Sequence, residues 1–309
     1  MMQIVSSERS QGSGTTRPPR GTGDADNVIP IRGTAEHATR VIAVTSGKGG
    51  VGKSVLSANL GICLARRGRK VLLVDADLAL ANLDLMLGVT ARSTVRDMLT
   101  GSMSAEQVMV QGPHGVTLLP ACSGDLTLAD MSDQGRMAVF DSIDALAPRF
   151  DTVVIDTGAG IGSNSTAFAA AAQQTLVVVT PDPASIADGY AMIKVLSQRC
   201  GLKRLYLAIN MASGPQEADA VLQRILGLVH QFLDVSVIPV GYVYHDSAVE
   251  RSVRSCQPLV TTFPRAAVSS SLQALAGRLL DEEPPQTGWG GPRLFWRKLI
   301  GLSEEGQDK

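Results

Sequence analysis

The rhythm of hydrophobic and polar positions changes at Val41. From there, unbroken apolar runs of strand length recur at 41–45, 71–75, 152–156, 176–180 and 205–210. Continuous runs of this kind are what strands buried on both faces require. Between them the pattern lengthens to helical spacing at 53–67, 133–147, 162–173, 185–199, 215–232, 246–255 and 265–280. This alternation predicts an α/β fold: a doubly wound, mostly parallel sheet with helices on both faces, forming one domain over 41–280.

Outside that span the rhythm is lost. Residues 1–40 are rich in Ser, Gly, Thr, Arg and Pro and hold too little apolar surface to offset the entropy of ordering, which predicts a flexible tail. The stretch 281–291 carries two prolines and three glycines and reads as a linker. In 292–302, a step of 100° per residue gathers Phe295, Trp296, Leu299, Ile300 and Leu302 on one arc, with Arg293, Arg297 and Lys298 on the other. Leu294 falls on the polar side. So short a helix needs a surface to fold on, and its aromatic and cationic sides suit the interface of an anionic membrane. Residues 303–309 are a second tail.

Composition removes several function classes. The 309 residues carry a net charge of -1 and are only 4% aromatic. The chain therefore has neither the broad basic footprint of a duplex binder nor many stacking platforms for single strands. No direct, specific nucleic acid binding is expected. Cys63, Cys122, Cys200 and Cys256 form no C-x-x-C pair, and the four histidines are scattered, so neither a zinc site nor a disulfide framework is indicated. No apolar run reaches the ~18 residues needed to span a bilayer, and the first residues lack the apolar core of a signal peptide. The expectation is a cytoplasmic protein, peripheral at the inner face of the cell membrane.

The chemistry is written most clearly at Gly47-Lys48-Gly49-Gly50-Val51-Gly52-Lys53-Ser54, which satisfies G-x-x-x-x-G-K-[ST] between an apolar run and a helical pattern. Such glycines let successive backbone N–H groups turn inward around phosphate oxygens, with the positive end of the next helix behind them. Lys53 then reaches the β and γ phosphates of ATP, or the β phosphate of ADP, and the Ser54 hydroxyl ligates Mg²⁺.

In an open parallel sheet, ligands sit outside the carboxyl ends of the strands, so acids at those ends matter. Asp75 and Asp156 each close an apolar run, and Asp77 follows Asp75 by two residues. A carboxylate at each position can hold Mg²⁺, directly or through water, or orient an attacking water. Each alone also fits a turn or a helix cap.

The loop closely resembles the deviant phosphate loop of the MinD/ParA class, K-G-G-V-G-K-[ST]. That resemblance implies an ATP-sandwiched homodimer in which Lys48 crosses to the partner's nucleotide, a cation supplied in trans where phosphoryl charge accumulates. The stretches 75–84, 111–116, 156–162, 181–196 and 210–212 are similar to one branch of that class, the FlhG/FleN family of flagellar MinD-like ATPases. The resemblance covers 41 to about 280 and implies further roles. Asp77 positions the lytic water, Asp75 lies at the adjacent metal side, Asp156 heads the second switch loop, and Asn210 reads the base edge. It also implies a role in limiting flagellar number and placement, together with a signal-recognition-type flagellar GTPase (FlhF-like) and, in some bacteria, a master flagellar transcription activator.

Three departures stand out. Ala79 replaces the family's usual Gly, Tyr244 replaces a common Pro, and 1–40 holds no D-Q-A-x-x-L-R element of the kind some members use to stimulate the GTPase.

Two other ATPase readings share this loop. A ParA-like partitioning protein would coat DNA nonspecifically, against which stand the acidic balance and the amphipathic end. An iron-sulfur ATPase needs two cysteines per chain for a bridging cluster, and only Cys122 falls at a plausible loop. The leading expectation is a slow ATP-hydrolysing switch whose dimer presents two amphipathic ends and so gains avidity for a membrane.

Overall fold

The computed structural model describes residues 39–78, 80–124 and 131–283. The expectations for 1–38, for Ala79, for the linker beyond Glu283, for Phe295, Trp296, Leu299, Ile300 and Leu302, and for 303–309 lie outside the described residues.

The eight strands are β1 (Arg40–Ser46), β2 (Val71–Ala76), β3 (Val110–Gln111), β4 (Thr117–Leu119), β5 (Thr152–Ala159), β6 (Gln174–Val179), β7 (Arg204–Ala212) and β8 (Ser236–Tyr244). They form one sheet in the order β3-β4-β2-β5-β1-β6-β7-β8. Every pairing is parallel except that of the two-residue edge strand β3 with β4. The doubly wound, mostly parallel sheet expected from the apolar runs is therefore present. The chain winds one way from β1 to β2 and then to β4, returns to insert β5 between β2 and β1, and winds the other way through β6, β7 and β8.

The central strands bury both faces, as their unbroken runs require. On β1, Ile42 and Val44 enter one core with Leu73, Val154 and Tyr206, while Val41 and Ala43 enter the other with Leu72, Val74 and Ile155. The first face is covered by α1 (Lys53–Arg66), α2 (Leu83–Leu87), α9 (Ser247–Arg254), α10 (Leu259–Thr262) and α11 (Ala267–Asp281). The second is covered by α3 (Val95–Leu99), α4 (Ala105–Val108), α5 (Asp133–Leu146), α6 (Ser163–Ala171), α7 (Pro183–Gln198) and α8 (Pro215–Phe232).

Several helix starts are fixed by short polar caps. Ser132 caps α5 by accepting from Gly135 N–H, and Asp246 caps α9 by accepting from Ala248 N–H at 2.8 Å. Helix α1 differs, having no side-chain cap and no acid in its first turn. Its first N–H groups stay open to a ligand at the carboxyl end of β1.

Candidate nucleotide site

The loop 47–52 joins β1 to α1 beside the point where the winding direction reverses. Gly50 and Gly52 have φ of +79° and +84°, the left-handed region that folds successive amides inward. Nothing lies within 4 Å of where a Cβ on Gly50 would stand, so the turn is uncovered there. Gly47 has the opposite constraint, since a Cβ there would fall 1.9 Å from the Asp188 carbonyl oxygen on α7. The loop thus presses on α7 at one end and opens toward solvent at its middle.

Lys53, the first residue of α1, is buried although cationic. Its charge acts on Asp156, which lies on β5 with 1% exposure. Burial raises the Asp156 carboxyl above the usual carboxylate range, while Lys53 and the hydroxyls of Ser54 and Ser57 pull it back and Asp77 adds to the rise. Ser57 donates to Asp156 Oδ1 at 2.8 Å. Ser57 was not singled out from the sequence, although one helical turn after Lys53 places it on the same side of α1.

Asp75 and Asp156 are register partners on neighbouring strands. Burial, then the Asp156 charge, push Asp75 up to about 8, outweighing three backbone donors. Those donors are Asp77 N–H to Oδ1 at 3.1 Å, and Asn82 and Leu83 N–H to Oδ2, each at 3.0 Å. Asp75 therefore fastens the loop that carries Asp77, and a contact with a metal would compete with that work. Asp77 is partly exposed, and its Oδ1 would lie 3.7 Å from a Cβ on Gly158 at the end of β5.

Among the described residues, no group of three or more His, Cys, Asp or Glu side chains forms a ready metal cage. A Mg²⁺ site needs no such cage, since the ion keeps several waters and is completed by substrate phosphates.

Lys48 pairs within its own chain, its Nζ donating to Asp182 Oδ2. Asp182 caps α7 by accepting from Ala184 N–H at 3.2 Å, and Lys48 beside it holds its carboxyl below the usual range. This pairing joins residues 134 positions apart, which no local pattern in the sequence signals.

Asn210, 8% exposed at the end of β7, donates from Nδ2 to the Val51 carbonyl at 2.7 Å. It therefore braces the phosphate loop through its amide nitrogen. A cavity of about 340 Å³ opens beside it, lined by Gly52, Met211, Tyr244, His245 and Asp246 among others. Tyr244, the departure at a common Pro, lines this cavity and meets Tyr242 hydroxyl to hydroxyl at 3.2 Å. Met211 has φ of +59°, a conformation that costs a non-glycine residue about 1–2 kcal/mol.

The AAA domain family matches residues 39–203. The chain is 37% identical to the antiactivator FleN of Pseudomonas aeruginosa over 85% of its own length and 94% of the relative's. It is 35% identical to the flagellum site-determining protein YlxH of Helicobacter pylori, over 85% of this chain and 90% of that one. Among solved structures it is similar to the cell division ATPase MinD of Pyrococcus furiosus, with a TM-score of 0.67 and 26% identity over 78% of this chain and 98% of that one. MinD from Pyrococcus horikoshii, complexed with Mg-ADP, gives a TM-score of 0.66 at 26% identity, over 78% and 96%.

Proposed function

This chain belongs to the FlhG/FleN family of MinD-like ATPases, and we propose that its ATP cycle is the switch by which it regulates flagellar number. It is an ATPase, turning ATP and water into ADP and phosphate. The observation that carries the reading is the left-handed glycine turn feeding an uncapped helix whose first residue, Lys53, is buried against Asp156.

The amides of 49–53 hold the β and γ phosphates, and Lys53 neutralises their charge from within the helix terminus. Ser54 and Asp156 are the residues that would hold Mg²⁺, with Ser57 donating to the Asp156 carboxylate, and the ion would supply charge neutralisation to the bound phosphates. Asp77 orients the attacking water, and Asp75 keeps the Asp77 loop in place. Asn210 offers Oδ1 to the exocyclic amine of adenine, because its Nδ2 is taken by Val51.

Lys48 leaves Asp182 for the partner's nucleotide when two ATP-bound chains meet. Leu80 and Ile161, 68% and 53% exposed on the loops after β2 and β5, support burial against a second copy. Hydrolysis is slow until a partner completes the site, and dissolution of the dimer releases what it carries. The partners are a signal-recognition-type flagellar GTPase and a flagellar transcription activator. Among the described residues no helix is long and apolar enough to cross a membrane. Membrane residence then falls to 292–302, doubled in the dimer, where two weak anchors act together.

Sedimentation with anionic vesicles tests this directly. ATP is expected to pellet several times more protein than ADP, and removal of 292–309 to abolish the difference. Equal pelleting in both nucleotides contradicts the coupling.

A further inference from the structure

Three non-glycine residues among those described have left-handed backbone: His114, Met211 and Cys256. His114 and Cys256 are exposed, in a turn before β4 and just after α9. Met211 alone of the three lines the cavity beside the phosphate loop. Its conformation has a local cause, because both its neighbours are pinned. Asn210 is tied to the Val51 carbonyl at 2.7 Å, and the Ala212 carbonyl accepts from His245 N–H at 2.9 Å while Ala212 keeps its register with Tyr244. The β7–β8 ladder slips by a residue between Ile209 and Ala212, and Met211 absorbs the turn.

This turn carries the Met211 side chain back over the phosphate loop. A Cβ on Gly52 would lie 3.4 Å from Met211 Cε, which puts the thioether tip at the seam between the last glycine of the loop and the cavity. A polarizable sulfur against an aromatic ring is a favourable contact, and a strained backbone at a binding site persists where the surroundings over-determine it. Glycine would adopt this backbone without strain, yet the position carries a long side chain.

We propose that Met211 is the residue that packs on the face of the nucleotide base, and that its strained backbone exists to aim the thioether there. This inference deepens the nucleotide reading and depends on it. It makes Met211 a specificity determinant for a ring-bearing nucleotide over a bare polyphosphate, separate from the phosphate grip of Lys53.

Calorimetric titration of the full chain with ADP and with inorganic tripolyphosphate separates the two. In Met211→Ala the affinity for ADP is expected to fall about tenfold while that for tripolyphosphate stays within about twofold, and Met211→Leu to keep most of the ADP affinity. The backbone limb is read by heat. Met211→Gly should lose ADP affinity as Met211→Ala does, yet melt at a higher temperature than Met211→Ala, since only glycine is unstrained at φ of +59°. An unchanged ADP affinity in Met211→Ala, an equal loss for both ligands, or a Gly variant that melts below the Ala variant would overturn the inference. Parental protein that binds neither ligand would overturn the nucleotide reading itself, and parental protein that binds tripolyphosphate as well as ADP would overturn the role given to Met211 alone.

Discussion

The phosphate loop 47–52 is held close to its neighbours along its length, whereas the segment that follows β2 is fastened at its two ends and leaves Leu80 exposed. In the first, Gly47 presses on the Asp188 backbone and Ser46 Oγ donates to the Lys48 carbonyl at 2.8 Å. Gly160 N–H reaches the Ser46 carbonyl at 2.9 Å, and Asn210 secures Val51. In the second, three N–H groups converge on Asp75, Ser123 Oγ donates to the Ala81 carbonyl at 2.7 Å, and Leu80 between them is 68% exposed. A grip assembled in advance loses little entropy on binding, while a segment with an exposed turn between two fastenings has room to move when a ligand arrives. In the proposed cycle the first holds the nucleotide and the second responds to which one is held.

The contrast breaks most severely at Lys53. Lys53→Ala removes the buried cation from the grip and should lower ATP and ADP affinity by about a hundredfold or more by calorimetry, with the fold intact by circular dichroism. Retained affinity would mean that phosphate is bound elsewhere.

On the sensing side, Asp75→Asn leaves one acceptor oxygen where two were used. Turnover should fall about tenfold while ADP affinity stays within about threefold and the Mg²⁺ concentration giving half-maximal activity is unchanged. A raised Mg²⁺ requirement would return Asp75 to the metal. The same substitution carries a pH signature. Because burial and the Asp156 charge lift Asp75 to about 8 in the fold, its contribution favours the nucleotide-free protein at low pH and is lost as pH rises through that value. The contribution of Asp75 to the melting temperature of the parental protein should fall between about pH 4 and about pH 8 and level off above it, and Asp75→Asn should flatten that fall.

The smallest effect is expected at the ion pair between Lys48 of the phosphate loop and Asp182 at the start of α7. Asp182→Asn keeps the cap on α7 but releases Lys48. With both side chains largely solvated, the ion pair is weak, so the ATP dimer should tighten by only about threefold in analytical ultracentrifugation. Weaker dimerisation would show that Asp182 supports Lys48 in the assembled state instead of restraining it.

Legibility from the sequence followed how local each cause is. All five apolar runs became central strands, because burial on both faces leaves no polar interruptions, and all seven helical stretches became helices within a few residues of their expected ends. Strand β8 was not foreseen. Pro239 and Gly241 break its apolar pattern, and as an edge strand it tolerates both. The short elements β3, β4, α2, α3, α4 and α10 were missed because so few residues carry no period. At the site, the glycine turn and the acids at strand ends stood in plain view, each fixed by its neighbours in sequence. The Asp182 pairing and the left-handed Met211 arise from segments that meet only when the sheet closes, while the three donors on Asp75 come from the turn just after it, whose bend no hydrophobic period signals.

The central claim is that the γ phosphate, gripped by loop 47–52, holds two chains together. Light scattering coupled to size-exclusion chromatography of Asp77→Ala, which should keep ATP unhydrolysed, tests it in one comparison. The account predicts a mass of two chains with ATP and of one with ADP; one and the same mass in both nucleotides, with ATP demonstrably bound, would contradict it.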